Sequence, residues 1–334
     1  MNQLRNGLGR RLAALLAAVL VMVMPAQTLA VATTNPGTSG QGLEISPPVV
    51  ELQADPGQTV TTAISIRNVT KGPLIVKAKT DDFGAGTDES GQPQLLLDTD
   101  GQSRFSLKYW VGAVSDLTLA AGELKKNQVT IKVPKNAEPG GHFGVVRFTA
   151  VPPDLEGTGV ALSASVGTLV LVRVSGNITD KLKLEEFSTG RWKGEGSLVT
   201  KTSFFEYGPV AFVVRLKNEG SVHEKPKGAI NVSNMFGKQV ASIAVNDKGG
   251  NVLPDSVRRF EQELASKKLF GRYVAKLDLT YASDQKITST FVFWVIPWKL
   301  IILALVGLIA LVWILRLAIK RYNQHIINQA RRRP

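Results

Sequence analysis

Between Leu300 and Leu315 the chain runs for 16 residues without a charge or a proline. A helix over this run covers about 24 Å, a little short of the ~30 Å hydrocarbon core of a bilayer. The flanks supply the remainder. Trp294 and Trp298 suit one membrane interface, and Trp313 and Tyr322 lie towards the other, because indole and phenol rings collect at headgroup depth. Lys299 and Arg316 have apolar stems that let their charges snorkel outwards. Pro297 fits the first turn of a helix, where its missing N–H is not needed. The run predicts a transmembrane helix over 297–319 and a basic cytoplasmic tail over 320–334.

Charge sets the orientation. Arg316, Lys320, Arg321, Arg331, Arg332 and Arg333 follow the span with no acidic residue among them, which places that side in the cytoplasm. The other end agrees. Arg5, Arg10 and Arg11 precede an apolar run from Leu12 to Met24, and small residues follow, with Thr28 and Ala30 or Ala30 and Ala32 at the −3 and −1 positions. That order is a secretory signal peptide over 1–32. The expectation is a single-pass type I protein of the cell membrane, its ectodomain extracellular or periplasmic and its partner the lipid bilayer.

The net charge of +13 invites a nucleic-acid reading, but its distribution opposes one. Removing the three basic residues of 1–30 and the seven of 299–334 leaves +3 for the interior. That is too little for the electrostatic footprint of a duplex binder, so no nucleic-acid partner is expected. There is no cysteine, so an exported domain must be held by burial alone, and thiol nucleophiles and thiolate metal sites are excluded together.

After a Gly/Ser/Thr-rich leader over 33–42 the interior reads as short strands separated by turns. Val60 to Asn68 alternates apolar and polar residues, the period of a half-buried strand. Leu74 to Lys79, Phe105 to Val111, Gln128 to Val133, Gly144 to Val151 and Thr168 to Val174 read as further strands, and Phe83 to Gly101 as a long loop or hairpin. From about Asn177 the grammar restarts, with Lys181 to Phe187, Val210 to Asn218, Ala229 to Val232, Val240 to Val245, Ser256 to Leu264, Tyr273 to Tyr281 and Ile287 to Trp294. The fold class expected is all-β: tandem immunoglobulin-like sandwiches over 43–176 and 177–296, plus the C-terminal transmembrane helix. The halves echo one another where Ile64-Ser65-Ile66-Arg67-Asn68 matches Val214-Arg215-Leu216-Lys217-Asn218.

Chemistry-bearing patterns are weak. His142 and His223 stand without the i+4 histidine of a helical zinc site, and no nucleophile elbow or phosphate loop occurs. Gly140-Gly141-His142-Phe143-Gly144 reads as a turn into a strand. Asp98-Thr99-Asp100-Gly101 opens like a calcium loop but lacks its closing glutamate. No catalytic residue, cofactor or metal is expected. Tyr109, Trp110 and Trp192 are the candidates for a ligand-binding aromatic platform, against the alternative of core and edge packing. Trp294, Trp298, Lys299 and Arg316 are the membrane-interface candidates.

Leu52-Gln53-Ala54-Asp55-Pro56-Gly57-Gln58-Thr59 running into the strand that ends at Asn68, and Pro139 to Val146 after Val133-Pro134, resemble the WxL-interacting protein family of bacterial surface proteins. The order of signal, two sandwiches, span and basic tail is similar too. The resemblance implies a peptidoglycan-binding first domain and a second domain that engages other surface proteins or host molecules, with no catalytic residues, so the partners expected are peptidoglycan and secreted or surface proteins. The reading is a non-catalytic envelope scaffold or adhesin. The alternative is a membrane-anchored accessory subunit or chaperone of a secretion or pilus-like system.

Overall fold

The computed structural model describes residues 42–97, 103–151, 165–192, 200–266 and 268–330. The expected signal peptide, nearly all of the leader, the Asp98–Gly101 turn and the arginines at 331–333 lie outside them.

Two β-sandwiches precede one long helix. In the first, β1 (Leu43–Ser46), β3 (Thr59–Asn68) and β7 (Leu124–Lys132) form one sheet in the order β1-β3-β7. The facing sheet runs β2 (Val49–Ala54), β9 (Ser165–Val174), β8 (Gly140–Ala150), β4 (Leu74–Ala85), β5 (Pro93–Leu96), with β6 (Leu117–Leu119) also on β4. Pro47 and Pro48 separate β1 from β2. Two consecutive residues without an N–H cannot continue a ladder, and the chain crosses to the other sheet, where β2 lies parallel to β9.

Period-2 alternation explains why β8 and β9 are apolar on both faces. Val146, Phe148, Val170, Val172 and Val174 enter the core between the sheets with Ile64, Ile66 and Ile131. The alternate residues Phe143, Val145 and Leu171 form a separate cluster with Phe83, against which Phe105, Leu169 and Leu253 pack. Leu253 belongs to the second sandwich, so the outer face of this sheet is apolar because another domain covers part of it.

The second sandwich opposes β11 (Thr200–Lys201), β10 (Leu182–Arg191), β13 (Val210–Asn218) and β16 (Val257–Leu264) to a sheet of β12 (Phe204–Phe205), β18 (Gln285–Val295), β17 (Gly271–Tyr281), β14 (Lys227–Asn234) and β15 (Gln239–Val245). Its core centres on Phe205, Phe212, Tyr273 and Phe293. Phe293 contacts the other three at ring-centroid distances of 5.4–6.1 Å.

The echo between the halves has a structural counterpart. The Asn68 and Asn218 side chains are fully buried. Each Nδ2 donates to the carbonyl four residues on, Gly72 or Val222, and to carbonyls of a distant loop, Leu119 and Ala120 or Val252. Each Oδ1 accepts the N–H two residues on, of Thr70 or Gly220.

Two local expectations need correction. Residues 105–111 form no continuous strand: turns lie between isolated bridges from Ser106 to Phe143 and from Val111 to Ile131. The buried Asp82 carboxylate accepts hydrogen bonds from Ser106 Oγ and the N–H groups of Leu107 and Lys108, which folds the segment instead of extending it. The glycines at 140 and 141 open β8 itself, and they serve a contact between domains described below.

The helix α1 spans Trp298–Ala330, 33 residues, or roughly 50 Å. It starts where expected but continues through the segment expected as a separate tail. Its 27-residue stretch Trp298–Gln324 is apolar enough to cross a membrane, and no part of its apolar window is buried inside the protein. Arg316 lies 18 residues after Trp298, so the two are roughly 27 Å apart, close to a hydrocarbon thickness.

Candidate functional site: the cleft between the sandwiches

Backbone contacts and charged side chains join the sandwiches. Gly141 N–H donates to Ser221 C=O at 2.8 Å. Gly140 has φ +141°, and a Cβ there would stand 2.8 Å from the same oxygen; glycine is required by both backbone and space. Glu89, at the tip of the β4–β5 hairpin, reaches across to Arg215 of β13 with both carboxylate oxygens, 2.7 and 2.5 Å, while its carbonyl accepts the Arg259 N–H at 2.8 Å. The Arg215 hydrogen bond holds the Glu89 carboxyl below its ordinary pKa. Arg104 and Asp255 pair at 2.5 Å. The Arg258 guanidinium lies between Gly91 and Gly250, where added Cβ atoms would clash at 2.3 and 2.5 Å.

Glu89→Gln keeps the shape of this clamp and removes its charge. The pair is partly solvated, so the expected loss is about 1 kcal/mol, or roughly fivefold in the opening equilibrium. Amide exchange at Gly141 and Arg259 is expected to quicken by that factor at neutral pH. Unchanged exchange would show that the ion pair adds nothing to docking.

These contacts frame two adjoining cavities. One of about 370 Å³ has an apolar floor of Val49, Phe83, Leu169, Leu171 and Leu253 and charged walls that include Lys225, Lys248 and Arg258. A second, of about 700 Å³, includes Arg173, His223, Glu224, Lys227 and Tyr281. Glu51 and Lys225 line both and pair at 2.5 Å. Burial pushes the Glu51 pKa up, but hydrogen bonds from Asn251, at 3.0 Å, and Lys225 outweigh it and hold the carboxyl below its usual value. Burial lowers the Arg258 pKa, and its Nε has no partner in the described structure.

At the back of the second cavity, burial drives the Glu224 pKa up to about 8, helped by a hydrogen bond with Asp180. Arg173 donates to Asp180 at 2.9 Å. Burial pulls His223 down to about 4, against the Glu51 charge. At neutral pH the junction therefore holds a neutral imidazole beside a carboxyl pair that retains a proton.

The floor of the first cavity adjoins a stretch of β9 that has no ladder partner on its β2 side, where the Pro47 carbonyl accepts Thr168 Oγ1–H at 2.7 Å. β2 covers β9 only from Leu169 onwards, and among the described residues no strand pairs with Ser165–Thr168 on that side.

The aromatic candidates lie elsewhere and are not brought together. Trp110 is 8% exposed, belongs to the core of the first sandwich and packs against His142 at a ring-centroid distance of 4.1 Å with the planes tilted by 43°. Tyr109 and Trp192 are exposed. His142 is held by the carbonyls of Ser106 and Glu138, and burial lowers its pKa, which suits a structural role. Around the start of α1, Trp294 and Trp298 are exposed and Lys299 pairs with Glu206 at 2.9 Å, while Arg316 is exposed further along the helix. Glu51, Lys225 and Arg258 were not foreseen. Their signal was indirect: β8 and β9 are too apolar for strands with one wet face.

No protein-family model matches the sequence, and no curated protein matches it. Among solved structures the chain is similar to the class 5 fimbriae chaperone CfaA, at 13% identity over 74% of this chain and 98% of that one, with a TM-score of 0.38. It is also similar to a Salmonella enterica SafA pilin–SafB chaperone structure, at 12% over 77% and 98%, TM-score 0.36, and to the E. coli chaperone DraB, at 12% over 76% and 98%, TM-score 0.34. The likeness is one of fold alone.

Proposed function

We propose that this chain is a membrane-anchored, non-catalytic binding protein of a bacterial cell envelope. It acts as an accessory subunit or chaperone that holds an extended segment of a secreted or surface protein at the cleft between its sandwiches. The observation that carries this reading is the continuity of an apolar-floored, basic-walled cleft with an unpaired length of β9. An extended peptide can add to such an edge through its backbone and seat alternate side chains on the floor. Lys248 and Arg258 suit a peptide carrying negative charge.

The test is a photo-reactive residue replacing Lys248 in the full chain in its own cells. A discrete adduct with a secreted protein is expected, reduced about tenfold by Leu169→Asp, the loss expected when a charge replaces an apolar floor contact. No protein adduct at this position would overturn the reading. The exposure of Tyr109 and Trp192 favours a second reading, a peptidoglycan-binding scaffold of the kind implied by the WxL-interacting resemblance. In that case the full chain would co-sediment with purified wall, and Tyr109→Ala or Trp192→Ala would release it.

A further inference from the structure

The end of the second sandwich from which α1 leaves carries exposed apolar side chains on three separate loops. The β14–β15 hairpin tip presents Met235 and Phe236, the latter 86% exposed. The turn into β17 presents Phe270, 63% exposed, and the turn after β12 presents Tyr207, 60% exposed. Strand register brings these tips to one end: Asn234 pairs with Tyr273, Gly271 with Val295, and Phe205 with Val295 from the other side. Met235 packs directly over Gly271.

That end is tied to the start of the helix. β18 stops at Val295 and α1 begins at Trp298. Ile296 N–H donates to Phe205 C=O at 2.8 Å, and Lys299 pairs with Glu206. Only two residues separate the sandwich from the span, so the loop tips cannot lie far from the depth of Trp298. Lys238, Lys268 and Arg272 are exposed around them. Of the acidic side chains there, Glu206 is neutralised by Lys299 and Glu263 is exposed at the end of β16.

We infer that the second sandwich docks end-on against the outer leaflet, with Phe236, Phe270 and Tyr207 inserted at headgroup depth beside Trp294 and Trp298. Aromatic side chains prefer that depth, and flanking lysine and arginine favour anionic lipid. The inference rests on α1 spanning the bilayer. Its consequence is a fixed, upright ectodomain whose cleft stands at a set height above the membrane.

The chain has no cysteine, so single probes are clean. Full-length Phe236→Cys, Phe270→Cys, Asp247→Cys and Leu308→Cys, each carrying a fluorophore, are reconstituted in vesicles of phosphatidylcholine and phosphatidylglycerol. Asp247 lies past the opposite end of β15. Nitroxide lipids of shallow and deep label position then report depth. Shallow-label quenching about twofold stronger at 236 and 270 than at 247 is expected if the tips reach the headgroup zone. Deep-label quenching is expected at 308. Quenching at 308 with none at 236 and 270 overturns the docking and keeps the anchor; no quenching at 308 overturns both. A probe at 236 that is shielded from water-soluble quencher yet dark to nitroxide lipid assigns the patch to a second copy of this chain, which also overturns the proposal.

Discussion

Replacing Asn218 by leucine is expected to destabilise the second sandwich by about 2–4 kcal/mol, because the substitution leaves two buried backbone groups without a partner at roughly 1–3 kcal/mol each, less than additively, and removes one of two donors from the Val252 carbonyl, which keeps the Glu224 N–H. The Val222 and Val252 carbonyls lose Nδ2 donors at 2.7 and 2.8 Å, and the Gly220 N–H loses its acceptor at 2.8 Å. Leucine has the same branched outline and is the larger side chain, so it leaves no void and the loss does not reflect cavity formation. Asn68→Leu is expected to cost the first sandwich about 1–3 kcal/mol, because, of the three carbonyls that accept from its Nδ2, Gly72 keeps Thr70 Oγ1 and Ala120 keeps the Glu123 N–H. Denaturant unfolding of the full chain in detergent checks both. A loss below about 1 kcal/mol at either site would show that water takes over the bonds.

Stability is also expected to fall as pH rises from about 6.5 to 8, by about 2 kcal/mol, from the proton retained on Glu224. The Glu224 pKa is raised from 4.5 to about 8 by burial and by Asp180. That group favours the fold fully below its unfolded value and loses its contribution as pH climbs through the folded one. The His223 pKa is lowered from 6.5 to about 4, by burial first, so its contribution is full above 6.5 and is lost as pH falls towards 4. Between 4.5 and 6.5 the folded chain keeps one extra proton on Glu224 and lacks one on His223, and the two effects cancel. Above 6.5 only Glu224 remains, and the folded state binds more protons than the unfolded one. Glu224→Gln, which keeps a neutral side chain of the same shape, is expected to flatten the profile above pH 6.5. A flat wild-type profile there would mean that Glu224 is ionised at neutral pH.

How much of this was legible beforehand differs by element. Val210–Asn218 was read to the residue, because its apolar run ends at the turn signal Asn218-Glu219-Gly220. The strands from Gly271 and Gln285 and the start of α1 were read to within about two residues. The two-residue strands β11 and β12 carry no periodicity and were missed. Residues 105–111 read as a strand because apolar residues recur there, but Asp82, more than twenty residues earlier, decided their conformation.

By itself the sequence determined the class of fold, the number of sandwiches, the long apolar C-terminal helix and the repeated asparagine. Each is local: a period, a run, or a residue type at a bend. The cleft was decided only by tertiary structure. Its floor is the second face of β8 and β9, and its walls come from Glu51, Lys225, Lys248 and Arg258 on two domains. The membrane-facing tips follow the same rule. Tyr207, Met235, Phe236 and Phe270 lie in different turns, and only strand register brings them to the end where the helix begins.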